Sequence, residues 1–224
     1  MSFTHSTGTI LAKELRTEFR SRELLGTTVV FVLIVIVLFS FTFNPTSSES
    51  RRFGPGLLWL AFLFAGSLML QPSFLREQTN DTLAALRLAP IDPFSILAGK
   101  MAANFLFLLL VELILLPVFA VLYNIAILPV LAPLVLVLAL GTVGLATTGT
   151  VFSAVAAQAR LRELLLPLLL LPVLAPVLVA STEATAGILR DPYELSTVWL
   201  MFLTAFDVVF LTAAWLFGEY LLEE

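Results

Sequence analysis

The sequence predicts an all-α integral membrane protein with six transmembrane helices. Hydrophobic residues make up 59% of the 224 residues and charged residues only 12%, about half the charged share of a typical soluble domain. The apolar residues fall into six runs, each close to the ~20 residues that a helix needs to cross ~30 Å of hydrocarbon. The runs cover roughly 25–43, 56–74, 101–122, 131–157, 164–180 and 197–218.

Residues 8–24, ahead of the first run, predict an amphipathic helix. Leu11, Leu15 and Phe19 recur every four residues and so share one helical face, while basic residues occupy the other faces. Such a helix is expected to lie in the membrane interface; an ordinary basic flank before a span is the alternative. The first run is too long, and lacks the small-residue cleavage site, for a secretory signal peptide, so we expect it to remain as an anchor.

The longest polar interruption, residues 73–104, separates the second and third runs. Asp81 is placed to cap a short helix over about 81–88. Leu83 and Leu86 are three residues apart and would share one face of that helix. We therefore predict a short amphipathic helix that a partner protein could hold, with a solvated connector as the alternative.

The other connections are shorter. Asp92 is predicted to cap the next helix, with Pro93 at its first position. The loops are expected over residues 44–55, 123–130 and 181–196, and the last of these could hold a short helix. Because no repeat or linker divides the sequence, we predict a single polytopic domain over residues 1–224.

Basic residues predict the orientation of the spans. With the N-terminus in the cytosol, nine of them fall on the cytosolic side and three on the outer side, as the positive-inside rule requires. Both termini and the 73–104 segment are then cytosolic. The nine are Lys13, Arg16, Arg20, Arg22, Arg76, Arg87, Lys100, Arg160 and Arg162, and the three are Arg51, Arg52 and Arg190.

Two acids, Glu112 and Asp207, lie near the centres of the third and sixth runs. A carboxyl group at that depth is costly, so each is expected to face protein or water. One interpretation is a substrate or proton path, in which two nearby carboxyl groups could not both ionise easily. The other is a hydrogen bond between helices, and Thr204, one turn from Asp207, offers a local partner.

The fourth run is rich in small residues. Thr142, Ala146, Thr150 and Ala154 recur every four residues, a pattern that allows another helix to approach closely. We interpret this stripe as a packing surface.

Several classes of function are excluded by residue content. The chain has no cysteine and one histidine, His5, in the N-terminal segment, which excludes disulfides, thiolate sites and a histidine-based metal or haem site in the membrane. No glycine-rich loop with Gly-Lys-Ser/Thr is present, so we expect no ATP hydrolysis by this chain. The net charge of −4 gives no reason to expect nucleic acid. We predict a non-catalytic membrane protein without a metal site.

Residues 74–124 resemble the CcmB family, which supplies the membrane subunit of the ABC complex in bacterial cytochrome c maturation. Residues 58–66 are also similar, and residues 78–80 depart from the family, which is usually more acidic there. The matching pieces are Phe74, Arg76-Glu77, Thr82-Leu83, Leu88-Ala89-Pro90 with Asp92, Gly99-Lys100, Ala103-Asn104, Val111-Glu112-Leu113 and Leu116-Pro117.

The resemblance implies an ABC transporter transmembrane domain in the bacterial cytoplasmic membrane. Two copies would pair with two copies of a cytosolic CcmA-type ATPase and work with CcmC, CcmD and the haem chaperone CcmE. ATP would bind to the ATPase, haem would be handled by the complex, and this chain would bind no cofactor directly. ATP hydrolysis would drive release of haem-loaded CcmE; an older view has this subunit carry haem itself. The missing cysteine and membrane histidine favour the coupling role.

The resemblance also suggests roles for particular residues. The short helix would be a coupling helix inserted into the ATPase, with the N-terminal amphipathic helix beside it. The implied ATPase-coupling residues are Arg76, Glu77, Asp81, Thr82, Leu83, Leu86 and Arg87, and the intramembrane polar residues are Asn104, Glu112 and Asp207.

Three other functions fit the predicted topology. An ABC permease could carry a drug, a lipid or a glycan instead. A proton-coupled carrier would use Glu112 and Asp207 and would need no ATPase. A scaffold would have no transport role, and it would tolerate charged residues at Leu83 and Leu86.

Overall fold

The computed structural model describes residues 2–42, 48–74, 91–157, 162–190 and 194–223. These residues contain seven long α-helices and no β-strand, as the sequence predicts. A short 3-10 helix, Leu128–Val130, precedes the fifth α-helix. The α-helices are α1 Phe3–Ser21, α2 Glu23–Thr42, α3 Ser48–Leu70, α4 Pro93–Leu122, α5 Leu131–Ala157, α6 Arg162–Ile188 and α7 Thr197–Glu223.

Six segments among the described residues are long and apolar enough to cross a membrane, which confirms the predicted number of spans. They make the chain a multi-pass membrane protein. The segments are Glu23–Phe41, Arg52–Phe74, Pro93–Leu122, Leu128–Ala157, Leu168–Ile188 and Thr197–Gly218.

The start of α4 confirms the predicted cap. Asp92 has extended backbone angles, and its Oδ1 atom accepts a hydrogen bond from the Phe94 amide at 2.9 Å. Pro93 occupies the first helical turn, where its missing N–H costs nothing. Helix α4 is continuous from Pro93 to Leu122. The third span therefore starts earlier than residue 101, where it was predicted to begin. The first two turns of α4, which were predicted as part of the polar interruption, therefore belong to the helix bundle.

The predicted loop over residues 181–196 is wrong in its first half, because α6 continues to Ile188. Ser181, Thr185 and Ile188 are fully buried in spite of the polar composition around them. The indole N–H of Trp59 on α3 donates a hydrogen bond to the Thr185 hydroxyl at 2.9 Å. Packing against α3 therefore keeps this polar stretch helical.

Helix α5 lies at the centre of the bundle and packs against α3, α4, α6 and α7. Its glycines mark the close approaches. A Cβ atom on Gly141 would overlap the Trp59 ring, and one on Gly149 would overlap Leu70. The predicted stripe of small residues on this helix is buried throughout. The interpretation of this stripe as a packing surface is confirmed.

Helix α1 packs along the first part of α4. Ile10 is buried against Gly99, where a Cβ atom would stand only 2.7 Å from the Ile10 Cβ. Leu11 and Leu15 also pack on the core, as their spacing predicts, whereas Phe19 is 53% exposed. The position of α1 at a membrane interface stays a prediction.

The junction between α1 and α2 is a tight turn. Arg22 has a φ of 53° and adopts the left-handed conformation that ends α1, with its amide bonded to the Glu18 carbonyl. The Glu18 carboxylate accepts the Leu25 amide at 2.8 Å. Because the first amides of a helix lack partners within that helix, this carboxylate stabilises the start of α2.

Candidate functional site

The predicted coupling residues lie outside the described part of the chain. This holds for Arg76, Glu77, Asp81, Thr82, Leu83, Leu86 and Arg87, and for the short helix predicted over 81–88. Their roles stay predictions. The described residues on either side of this segment, however, contain a connected cluster of polar side chains.

Lys100 is the centre of this cluster. Its side chain is 1% exposed, although a charged group is almost never fully buried unless it is paired. The ammonium donates to Glu14 Oε1 of α1 at 2.9 Å and to the backbone carbonyl oxygen of Ser73 at 2.5 Å. It also stands 4.8 Å from the centre of the Phe74 ring. Lys100 therefore joins α1 to the residues that immediately precede position 75.

Asn104, predicted as an intramembrane polar residue, belongs to the same cluster. It lies one turn beyond Lys100, and its amide nitrogen donates to the Ser73 hydroxyl at 3.2 Å and to the Thr150 hydroxyl of α5 at 2.8 Å. Ser73 is thus held through both its carbonyl and its hydroxyl by successive turns of α4. Glu14, Ser73 and Asn104 line a cavity of about 20 Å³, which is room for one water molecule.

Glu14 carries the negative charge of the cluster. Burial by itself raises the pKa of this carboxyl group, but the ammonium groups of Lys100 and of Lys13 outweigh it, so the net pKa lies below the ordinary value. Lys13 approaches the same Oε1 atom at 3.4 Å from the exposed side. Glu14 is therefore ionised at neutral pH and can balance the buried ammonium.

Glu14 was not among the site residues predicted from the sequence. A signal was present, because Ile10, Glu14 and Glu18 are spaced four residues apart and flank the Leu11–Leu15 stripe. Two of these three residues, Ile10 and Glu18, are fully buried. An acid at helical spacing beside an apolar stripe indicates a pairing partner on the opposing helix, and here the partner is Lys100.

Glu112 forms an interhelical hydrogen bond, one of the two roles predicted for it. Its side chain is 1% exposed, and the Thr142 hydroxyl of α5 lies 2.7 Å from Oε2. The same hydroxyl lies 2.7 Å from the Leu138 carbonyl oxygen. Oε1 of Glu112 has no hydrogen-bonding partner among the described residues.

Asp207 has a different environment from the predicted one. Neither carboxyl oxygen has a hydrogen-bonding partner among the described residues, and the side chain is 5% exposed. Thr204, the local partner considered for Asp207, donates its hydroxyl hydrogen to the Leu200 carbonyl of its own helix at 2.8 Å. Asp207 instead faces α5, where a Cβ atom on Gly144 would lie 3.1 Å from Oδ1.

The two acids do not share a site on α5. Glu112 contacts Thr142 and Asp207 contacts Gly144, and residues two apart in a helix point in nearly opposite directions. Within the described ranges, no group of three or more His, Asp or Glu side chains is placed to hold a metal ion. The arrangement places one polar cluster beside position 75 and two separate acids deeper in the bundle.

The family and the individual proteins to which this chain is similar agree with one another. The family described as CcmB protein matches residues 5–217 of this chain. A protein named heme exporter protein B from Pseudomonas aeruginosa is 33% identical over 199 residues, which cover 88% of this chain and 88% of the relative. Proteins of the same name from Rhodobacter capsulatus and Paracoccus denitrificans are 32% and 33% identical, and each alignment covers 78% of this chain and about four fifths of the relative.

Proposed function

The chain belongs to the CcmB family, and we propose that it is the transmembrane subunit of an ABC complex in cytochrome c maturation. In this proposal a cytosolic CcmA-type ATPase hydrolyses ATP, and this chain couples the hydrolysis to haem delivery and to release of a haem-loaded CcmE-type chaperone. CcmC-type and CcmD-type proteins complete the complex in the bacterial cytoplasmic membrane, with two copies of this chain. The observation that carries the proposal is the family match over almost the whole chain.

The architecture supports a non-catalytic role. Six apolar helices take up most of the chain, and the sequence has no nucleotide-binding loop. Any energy from ATP hydrolysis must then come from a partner. In the proposed orientation, with both termini in the cytosol, residues 75–90 and helix α1 lie at the cytosolic end of the bundle, where an ATPase would bind.

The residue content supports coupling rather than haem ligation. His5, the single histidine, lies on an exposed part of α1, and the chain has no cysteine. Histidine and cysteine are the common axial ligands of haem iron. Haem is therefore better assigned to the partner proteins, with this chain transmitting movement.

Affinity purification of the tagged chain from its native membrane tests the proposal. We expect an ATPase to co-purify together with CcmC-type and CcmE-type proteins. An ATPase alone would keep the ABC assignment and point to another cargo, such as a drug, a lipid or a glycan. If no ATPase co-purified, the proposal would be wrong.

Oε1 of Glu112 and both carboxyl oxygens of Asp207 have no hydrogen-bonding partner among the described residues, which favours a proton-coupled carrier as the second candidate. The separation of the two acids on opposite sides of α5 argues against a shared proton site. The two functions make different predictions in membrane vesicles. Transport by the carrier stops when a protonophore collapses the proton gradient, whereas transport by the ABC complex stops when ATP is withheld.

A further inference from the structure

We propose that Lys100 is a positioning residue that ties helix α1 to the segment leading into residues 75–90, so that the two move as one unit. This inference rests on the proposed function, in which residues 75–90 contact the ATPase. Its structural part, the attachment of α1 through the pair formed by Lys100 and Glu14, can be tested without any ATPase.

The ammonium group of Lys100 is deeply buried. Lys100 is 1% exposed, whereas the Glu14 side chain is 21% exposed. A long, flexible lysine would ordinarily extend its charge to water. Here the charge is turned inward to Glu14 and Ser73, at 2.9 and 2.5 Å. An uncompensated ammonium at this depth would be strongly unfavourable, so the position of Glu14 is tightly specified.

Two residues of α4 form hydrogen bonds with Ser73. Lys100 binds its carbonyl oxygen, and Asn104 binds its hydroxyl at 3.2 Å. The two donors lie one turn apart on α4, so Ser73 cannot shift along α4 without breaking at least one of these bonds. Asn104 also binds Thr150, which extends the connection to the central helix α5.

The polar contacts that hold Ser73 on α4 differ from those that hold α1 there. Ser73 has two polar contacts with α4, whereas the contact of α1 with the Lys100 ammonium that the described residues show is made by Glu14. Apolar contacts such as that between Ile10 and Gly99 hold α1 against α4. The carboxylate of Glu14 fixes where along α4 the helix sits. Removing the charge of Glu14 should therefore release α1 from Ser73 and leave the contacts of Ser73 with α4 in place.

These contacts link Ser73 mechanically to α1. A displacement of Ser73 changes the position of the Lys100 ammonium, and the ammonium carries Glu14 and α1 with it. An ATPase that moves residues 75–90 would thereby move α1 as well. Without the link, ATP would be hydrolysed without the matching movement of α1.

The experiment compares Glu14→Gln and Lys100→Met with the matched control Lys13→Gln. Lys13 pairs with the same Glu14 oxygen, but from the exposed side. Lys100→Met removes the buried charge along with the pair, so this variant leaves no unpaired ammonium to hinder folding. Because the chain has no cysteine, spin labels on Ala12→Cys of α1 and Leu106→Cys of α4, both exposed positions, report the distance between the helices by electron paramagnetic resonance.

We expect both test variants to broaden the distance distribution between α1 and α4, and the control to leave it unchanged. In a deletion strain complemented with each variant, we expect the cytochrome c yield to fall about tenfold or more, as loss of a typical coupling free energy would produce. For Lys100→Met, which leaves no unpaired ammonium, the amounts of membrane-inserted chain and of co-purifying ATPase should match the wild type. This split between assembly and yield would not result from a merely structural role.

Three results would each contradict a different part of the proposal. An unchanged distance distribution in both test variants would show that Lys100 does not attach α1. A broadened distribution with a normal cytochrome c yield would show that the attachment has no role in coupling. If no ATPase co-purified with the wild-type chain, the proposed function would fail, and the distance measurement would still decide the attachment.

Discussion

At the scale of single residues, the glycines of α5 set the distance to neighbouring helices. Gly141 faces the ring of Trp59 and the Ser181 hydroxyl, and a Cβ atom there would stand 2.7 Å from the hydroxyl oxygen. Neither neighbour can yield easily, because Trp59 is fully buried and is held by its bond to Thr185. The side chain that is missing at Gly141 is therefore what allows α3 and α6 to meet on α5.

We predict that Gly141→Ala lowers the free energy of unfolding by about 1–3 kcal/mol, because overpacking forces the neighbours apart. Thermal unfolding in detergent, followed by tryptophan fluorescence, measures the change. Gly26→Ala on α2 is the matched control, because nothing lies within 4 Å of its added Cβ and alanine is favoured in a helix. Equal stability of the two variants would contradict the packing described for α5.

The Glu112 site makes a different prediction, which depends on hydrogen counting. The Thr142 hydroxyl lies 2.7 Å from both Glu112 Oε2 and the Leu138 carbonyl oxygen, yet a hydroxyl has one hydrogen to donate. Both contacts are satisfied when the side chain at position 112 itself donates to Thr142. Glutamine has an amide N–H₂ of similar size for that purpose.

We therefore expect Glu112→Gln to retain normal membrane abundance and normal cytochrome c yield in a complemented deletion strain. Glu112→Ala removes the interhelical bond and should lower the free energy of unfolding by about 1–3 kcal/mol. Loss of yield in the glutamine variant at normal abundance would show that ionisation of Glu112 is needed. That result would favour the proton-coupled carrier.

At the scale of elements, the attachment of α1 should depend on pH. The pKa of Glu14 lies below the ordinary value of 4.5, because the two nearby ammonium groups outweigh the effect of burial. A lowered carboxyl pKa contributes stability that is fully present above the ordinary value and is lost as the pH falls through the lower one. Docking of α1 should then be constant from neutral pH down to about pH 5.

We predict that α1 loosens only below the ordinary pKa of Glu14, and that Glu14→Gln removes most of this pH dependence. Hydrogen exchange of the α1 amides, corrected for the intrinsic effect of pH on exchange, measures the docking. Loosening of the wild-type helix between pH 7 and about pH 5 would contradict the assignment, because Glu14 should stay ionised throughout that range. In the Lys13→Gln variant the loosening should begin at a higher pH than in the wild type, because one of the two ammonium groups that lower the pKa of Glu14 is lost.

The same elements show what the sequence could and could not reveal. Hydropathy and spacing predict six spans and the N-terminal amphipathic helix, because length and periodicity are local properties. The start of α4 and the end of α6, in contrast, depend on contacts with residues that are distant along the chain. Lys100 reads as a polar loop residue, but its partners are Glu14 and Ser73, far away along the chain. Thr185 likewise depends on Trp59 for its buried hydrogen bond.

The candidate site was predictable only in part for the same reason. Asn104, Glu112 and Asp207 were identifiable because polar residues inside apolar runs are conspicuous. Thr204 was an available partner for Asp207 by spacing, but its hydroxyl donates to its own helix backbone instead. Glu14 lies in a segment where charged residues are common, so nothing in composition marks it as the partner of a buried lysine.

At the scale of the whole molecule, the proposed function requires a contact with a second protein. The predicted contact lies on residues 75–90, between the described ends Phe74 and Ile91. The predicted helix over 81–88 would present Leu83 and Leu86 on one face. We expect these two residues to fill an apolar groove on the ATPase.

We predict that Leu83→Asp or Leu86→Asp abolishes co-purification of the ATPase while membrane insertion stays normal, because a carboxylate cannot be buried in such a groove without a partner. Ala85→Asp, which the helical spacing puts on another face, is the control. Co-purification at the wild-type level by both leucine variants would remove the coupling assignment and favour the scaffold.

The central position of α5 also has a consequence for biosynthesis. The ribosome makes α1 to α4 first, and α5, the helix against which α3, α4, α6 and α7 pack, appears only after them. Until then, Trp59 and Leu70 face no glycine, and Glu112 has no threonine partner. A nascent chain that pauses before residue 131 therefore exposes its polar and aromatic contact surfaces to the translocon and to membrane proteases, and quality control should recognise it until α5 arrives.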